Sequence, residues 1–348
     1  MASFQADPRA TSAIASHTQV KAVIFDRYGA PEVLRAIELP MPQAGPGEIR
    51  VRVRAAGVRP SDIALRRGLG EPEIEHEIDH EFARAAAASG SAPFPRRIGN
   101  EFAGVVDQIG EGVEEWTLGD EVMGWAAAMS YAEALTVPAQ QVVRKPPTMS
   151  WAVAGALPST GQTAHAALRQ LRVSAGETLL IHGAASAIGA VAVQLARAWD
   201  VRVIGSAAAA DHDYLRSLGA LPVLDRAEGR ARARELAPQG AHAVFDALGD
   251  DDFAAWIGLS ADPTRVATLR DSAHNRRLGL RVTHDQRSRE RLAELASLHE
   301  THGLLVHVRE MFPLTRAAEA HRAVERGPAR GKVVLMVYEA VPSLRLSA

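Results

Sequence analysis

No cysteine occurs among the 348 residues, which excludes disulfides, thiol nucleophiles and the thiolate-based structural zinc sites. Neither charge is in excess. With 39 Lys and Arg against 41 Asp and Glu, the chain has neither the basic footprint of a nucleic-acid binder nor an acidic tail. No run approaches the roughly 18 apolar residues of a membrane-spanning helix. Residues 1–20 lack the apolar core of a secretory signal and read as a mobile extension on a cytoplasmic protein. What is left is 47% hydrophobic and 23% charged residues, a globular composition in a chain long enough for two domains but short for three.

Residues 21–145 read as short strands. Lys21 to Phe25, Glu48 to Ala55, Gly104 to Ile109 and Val122 to Trp125 carry β-branched or alternating residues between Pro- and Gly-rich stretches. From about residue 146 the texture changes. Helix-like stretches at 163–172 and 189–199 alternate with short buried strands at 178–182, 201–205 and 243–246, which predicts a parallel sheet with crossover helices. A helix over 315–327, closed by Gly327, and a strand from Lys332 to Val337 follow. Residues 71–95 stand apart: six acids at alternate positions from Glu71 to Glu81, then alanines, then Ser89-Gly90. An acidic start, an alanine body and a glycine stop predict a surface helix of about four turns, although alternation by twos also suits a strand.

The strongest chemical signal is Thr178-Leu-Leu-Ile-His-Gly-Ala-Ala-Ser-Ala-Ile-Gly189, a buried strand, a turn of small residues and the start of a helix. Small residues there let backbone N–H groups approach a pyrophosphate that the helix N-terminus stabilises. The full glycine fingerprint would place Gly at 184, 186 and 189, but the residues are Ala184, Ser186 and Gly189, a relaxed form of the turn. After the second strand comes Gly205-Ser-Ala-Ala-Ala-Ala210, with no acid for the ribose hydroxyls of NAD. NADP is therefore favoured. Asp211 would repel its 2′-phosphate, and the compensating cations in reach of the sequence reading are His212 and Arg202.

With the segments flanking them, these residues resemble the medium-chain dehydrogenase/reductase superfamily, in its zinc-independent quinone oxidoreductase and enoyl reductase branch. The ordered matches include Gly57-Val-Arg-Pro-Ser-Asp62, Gly99-Asn-Glu-Phe-Ala-Gly-Val-Val106, Gly119-Asp-Glu-Val122, Tyr131-Ala-Glu133, Gly161-Gln-Thr-Ala164 and Arg330-Gly-Lys-Val-Val-Leu335. The resemblance implies an α/β protein: a GroES-like β domain over 21–145 with 306–342, interrupted by the 71–95 insertion, plus a Rossmann doubly wound parallel sheet domain over 146–305. It implies a homodimer, a small-molecule substrate and hydride transfer from NADPH to a quinone or enone. At the family's zinc-ligand positions stand Arg59, Asn100 and Glu101, so no catalytic metal is expected. His76-Glu-Ile-Asp-His80 has the spacing of a zinc-protease helix, but without a third ligand it reads as a solvated charged face.

For the chemistry, the resemblance points to Arg59, Asp62 and Tyr131. Arg59 either faces the cleft, where it would polarise a carbonyl or clamp an anion, or it turns out to solvent or pairs with Asp62. Asp62 matches a family acid with a structural role, and Tyr131 either donates a proton or forms pocket wall beside Trp125 and Met129. For the cofactor it points to Thr163 near the nicotinamide, to Gly183, Ala185, Ser186, Ala187, Ile188 and Gly189 at the phosphates, and to Ser206, Leu248 and Lys332 around them. His165 and His182 read as packing residues. Two other functions stay open: a non-redox cyclisation or isomerisation on the same fold, and a binding protein with a degraded cofactor site.

Overall fold

The computed structural model describes residues 18–68, 94–249, 253–270, 272–283, 287–327 and 329–337. The N-terminal extension up to residue 17, the 71–95 insertion up to residue 93 and the His76–His80 motif lie outside the described residues. Among the described residues, no helix is long and apolar enough to cross a membrane.

Among the described residues, three sheets carry the fold. The small one holds β1 (Gln19–Phe25), β2 (Arg35–Pro40) and β4 (Arg96–Arg97), in the order β2-β1-β4. The second holds β3 (Glu48–Val58), β5 (Glu101–Ile109), β6 (Glu121–Trp125), β7 (Ala134–Pro138) and β8 (Val142–Arg144). From the far end of the chain it also receives β15 (Val308–Pro313) and β16 (Lys332–Met336), in the order β15-β16-β3-β5-β6-β8 with β7 also on β3. Alternate residues of β3 (Ile49, Val51, Val53, Ala55) are fully buried, as expected for a strand with one face on the core.

The third sheet is parallel throughout. Its strands are β9 (Thr178–His182), β10 (Arg202–Ala207), β11 (Leu221–Leu224), β12 (Ala243–Asp246), β13 (Val266–Thr268) and β14 (Arg281–Val282), in the order β11-β10-β9-β12-β13-β14. This is the doubly wound dinucleotide order, and its direction reverses between β9 and β12, where such folds bind ligands. Both faces are covered, so β9 and β12 are buried along their whole length. In chain order the helices are α1 (Pro60–Arg67), α2 (Trp151–Gln170), α3 (Ala187–Ala198), α4 (His212–Leu218), α5 (Ala227–Leu236), α6 (Ala254–Ile257), α7 (Ala273–Arg277), α8 (Arg289–His302) and α9 (Ala317–Glu325).

The helix expected at 163–172 starts twelve residues earlier, at Trp151, with Ser150 as its cap and Pro158 inside it. A proline lacks the N–H and its ring crowds the preceding turn, which is why the pattern reads as broken there. The tertiary structure repairs the break: the Ser159 N–H donates to Glu101 Oε2 at 2.8 Å. The small residues of α2 also allow close approach. A Cβ on Gly155 would lie 2.7 Å from Ala55 Cβ, so α2 packs tightly on β3 and joins the β domain to the nucleotide sheet. The segment expected as a helix over 315–327 is a 3-10 turn over Leu314–Arg316 followed by α9, with Gly327 beyond it at φ +105°.

Candidate active site

A cavity of about 570 Å³ opens where the C-terminal ends of β9 and β12 face the β domain. Of the expected site residues, Arg59, Thr163, Ser186, Ala187, Ile188, Leu248 and Lys332 line it. Asp62, Tyr131, Gly183, Ala185, Gly189 and Ser206 do not, and each has another place.

On the nucleotide side the turn and the helix start are contiguous in sequence, and the loop after β12 and Ser206 of β10 close around them. Gly183 has φ +71°, and a Cβ there would lie 2.2 Å from Leu248 Cγ, so only glycine fits under the loop that follows β12. Ser186 caps α3: its Oγ accepts the Gly189 N–H (3.1 Å) and donates to the Ala247 carbonyl (3.1 Å). A Cβ on Gly189 would come 2.4 Å from the Gly183 carbonyl, so this glycine serves helix–strand packing. Asp246 accepts the Leu248 and Gly249 N–H groups and the Thr268 hydroxyl, which holds the overlying loop; burial raises its carboxyl above the ordinary aspartate range.

Ser206 requires a correction. Strand β10 runs on to Ala207, and Ser206 is fully buried within it, its Oγ accepting the Gly183 N–H (3.2 Å) and meeting His182 Nδ1 (2.9 Å). It shapes the turn from behind and does not line the cavity. His182, buried against Phe253 and Trp256, belongs to the same structural layer. His165 likewise bonds Glu294 through Nε2 (2.9 Å) and packs edge-on against Trp199.

The other side of the cavity is assembled from afar. Arg59 caps α1 and its backbone N–H donates to Asp62 Oδ2 at 2.9 Å. Asp62 is fully buried; Oδ1 accepts from Asn100 Nδ2 (2.6 Å) and Oδ2 also accepts the Tyr131 hydroxyl (3.0 Å). Burial pushes the Asp62 carboxyl upward against the opposing pull of the Arg59 charge. Burial, reinforced by Asp62, also holds the Tyr131 phenol well above its ordinary range. Tyr131 is therefore neither a cleft-facing donor nor pocket wall. Its ring seats against Gly99 and meets His321 edge-on. Lys332 does reach the cavity, and its Nζ donates to Glu101 Oε1 at 2.6 Å.

Glu101 thus serves Lys332 and the broken turn of α2 together, a role that its position in a zinc-ligand motif does not suggest. Asn100 is engaged by Asp62, Glu101 carries a buried cation, and Arg59 has no lone pair to offer, so these three residues do not fit a metal ion. Among the described residues, no group of three or more His, Asp or Glu side chains is placed to hold one. Ser61, Ser159 and Thr283 also line the cavity and escaped the sequence reading; their hydroxyl oxygens are buried within the protein with no partner. Ser61 lies inside the Gly57–Asp62 match, where its neighbours drew the reading, while Ser159 and Thr283 stand in no motif that could have marked them.

The cations named for the nucleotide's far end also change. Arg202 stands at the opposite end of β10 and donates to the Leu236 carbonyl, while His212 Nε2 lies 3.3 Å from the Ala207 carbonyl. The guanidinium beside Asp211 is that of Arg330, 3.7 Å away and stacked 4.9 Å from the Tyr214 ring. A dinucleotide fits these surroundings. The capped start of α3 faces the cavity and a cation stands beyond the end of β10.

A parallel sheet in this order, joined to a β domain that takes in the last strand, defines a nucleotide-fold protein of two-domain plan. Residues 45–147 match the alcohol dehydrogenase GroES-like domain, and residues 218–335 match the zinc-binding dehydrogenase family. The chain is 26% identical over 362 residues to the mitochondrial NAD(P)H oxidoreductase RTN4IP1 of Bos taurus, covering 92% of this chain and 90% of that protein. It is 31% identical over 310 residues to the polyketide synthase GfsB of Streptomyces halstedii, covering 85% of this chain but 5% of the synthase. The quinone oxidoreductase structure from Coxiella burnetii superposes with a TM-score of 0.77 at 28% identity, covering 92% of this chain and 100% of that one. The chain belongs to the medium-chain dehydrogenase/reductase superfamily, in its quinone-oxidoreductase-like branch.

Proposed function

We propose that this chain is an oxidoreductase that uses NADPH to reduce a quinone or an α,β-unsaturated carbonyl compound, without a metal. The observation that carries the reading is the cavity itself. On one side stands the capped start of α3; on the other stand Arg59 and Lys332. The names of its relatives, an NAD(P)H oxidoreductase and a quinone oxidoreductase, agree with it. When bound, the nicotinamide supplies the hydride. The chain binds and orients: the Arg59 guanidinium polarises the substrate carbonyl and the protein walls exclude water. The Lys332–Glu101 pair braces the wall beside Thr163, whose hydroxyl is tied to the Ser159 carbonyl (3.0 Å).

NADPH is preferred to NADH in this reading because no acid ends β10 and Arg330 stands beside Asp211. Calorimetric titration with each nucleotide tests it, followed by quinone and enone turnover read at the nicotinamide band. Arg330→Ala is expected to weaken NADPH by about tenfold and leave NADH unchanged, the loss of one charge-assisted contact. Absence of binding by either nucleotide would overturn the redox reading and favour the non-redox one. A homodimer and a cytoplasmic location belong to the same proposal; sedimentation and fractionation of the native protein test them.

A further inference from the structure

We propose that Tyr131 is a positioning residue: through the Asp62 carboxylate it sets where Arg59 stands in the cavity, and His321 fixes Tyr131 in turn. The inference rests on the reductase reading above. Arg59 lines the cavity, whereas Asp62, Tyr131 and His321 lie behind it, at 0%, 1% and 0% exposure. Four separate stretches of chain form one chain of contacts, Asn100 and Tyr131 on the Asp62 carboxylate and His321 on Tyr131. Asp62 comes from α1, Asn100 from the residue before β5, Tyr131 from the turn before β7, and His321 from α9.

The direction of the hydrogen bonds follows from the donors available. Asp62 Oδ2 accepts both the Arg59 backbone N–H (2.9 Å) and the Tyr131 hydroxyl (3.0 Å). With its proton directed at Asp62, the Tyr131 oxygen can only accept from His321, whose Nε2 is 3.4 Å away. The His321 proton is therefore on Nε2, and Nδ1 is left buried without a partner. The ring lies directly over Gly99, a place open to it only because residue 99 has no side chain: a Cβ there would lie 2.2 Å from Tyr131 Cδ1. Polar groups buried this fully specify one arrangement, since any other leaves them unpaired. The arrangement they specify ends at the backbone of residue 59, the residue that presents its guanidinium to the substrate.

Tyr131→Phe removes one hydroxyl and tests the proposal. On the best quinone or enone, kcat is expected to fall about five- to tenfold, with the dissociation constant for NADPH held within about twofold. In an Arg59→Gln background the same change should alter kcat by less than about twofold, because the lost contact acts only through Arg59. His321→Asn should give a smaller loss with the same dependence on Arg59, and it decides the matter if Tyr131→Phe does not fold. Equal fold-losses in both backgrounds, or NADPH affinity falling in step with melting temperature, would mean a merely structural role and overturn the proposal. Wild-type protein that binds NADPH but reduces nothing removes the reductase reading and this proposal together. Turnover with additive losses removes this proposal alone.

Discussion

The two sides of the cavity were built in different ways. On the nucleotide side, Gly183, Ser186 and Gly189 hold their geometry through contacts with one another and with the loop at 247–249. On the other side, apart from the Arg59–Asp62 contact, the working contacts span long stretches of chain: Lys332 meets Glu101 across 231 residues, and Tyr131 meets His321 across 190. A turn made of neighbours tolerates relaxation, which is why Ala184 and Ser186 can stand at two glycine positions. A site made of distant, buried polar partners tolerates almost none, because each loss strands a charge or a donor in a dry interior.

The sharpest break in that comparison is Glu101→Ala. It leaves the Lys332 ammonium and the Ser159 N–H buried without partners, and it should cost about 3–5 kcal/mol in urea unfolding. An effect no larger than that of a surface substitution would show that this side is as forgiving as the turn.

Next in size comes a pH effect confined to the distant side. Burial, with the Arg66 charge nearby, holds the His321 imidazole down to about 3. The native state therefore keeps it neutral, while the unfolded chain takes up a proton below about 6.5. Stability contributed by this group is intact above about 6.5 and declines as pH falls toward 3, by up to about 1.4 kcal/mol per pH unit. Thermal melts from pH 7 to pH 4 should show His321→Asn losing stability with a shallower slope than wild type; equal slopes would remove His321 from the account.

Smaller effects are expected at the turn. Gly183→Ala forces a left-handed residue with a Cβ and should cost about 1–2 kcal/mol. The further contact with Leu248 should disappear in a Gly183→Ala, Leu248→Ala pair, measured by the same denaturant melts. Smallest is Ser186→Ala, the loss of one helix cap, at about 1 kcal/mol. If Ser186→Ala proves worse than Glu101→Ala, the contrast between the two sides is reversed.

The proline inside α2 shows where reading along the chain misleads. Pro158 marks a helix boundary by every local rule, and the helix passes through it because a carboxylate 58 positions away takes the freed amide. Tyr131 and Asp62 show the same limit in the site. Their order along the chain indicates the family, but their burial behind Arg59 depends on Asn100 and His321, which no spacing connects to them. The His76–His80 pair and the acidic insertion lie outside the described residues, so the structure adds nothing to their reading.

What the sequence determined by itself is the class of fold and the phosphate-type turn. These follow from interactions between near neighbours: alternation of apolar residues in strands, small residues between β9 and α3, a serine at the helix cap and a glycine where φ must be positive. Only the tertiary structure decided which charges meet. The last strand, β16, enters beside β3, and that placement brings Lys332 to Glu101. The loop ahead of β16 carries Arg330 to Asp211, a cation that the segment after β10 lacks. Pairings of this kind depend on how distant strands are ordered in a sheet, and no local property of either partner encodes them.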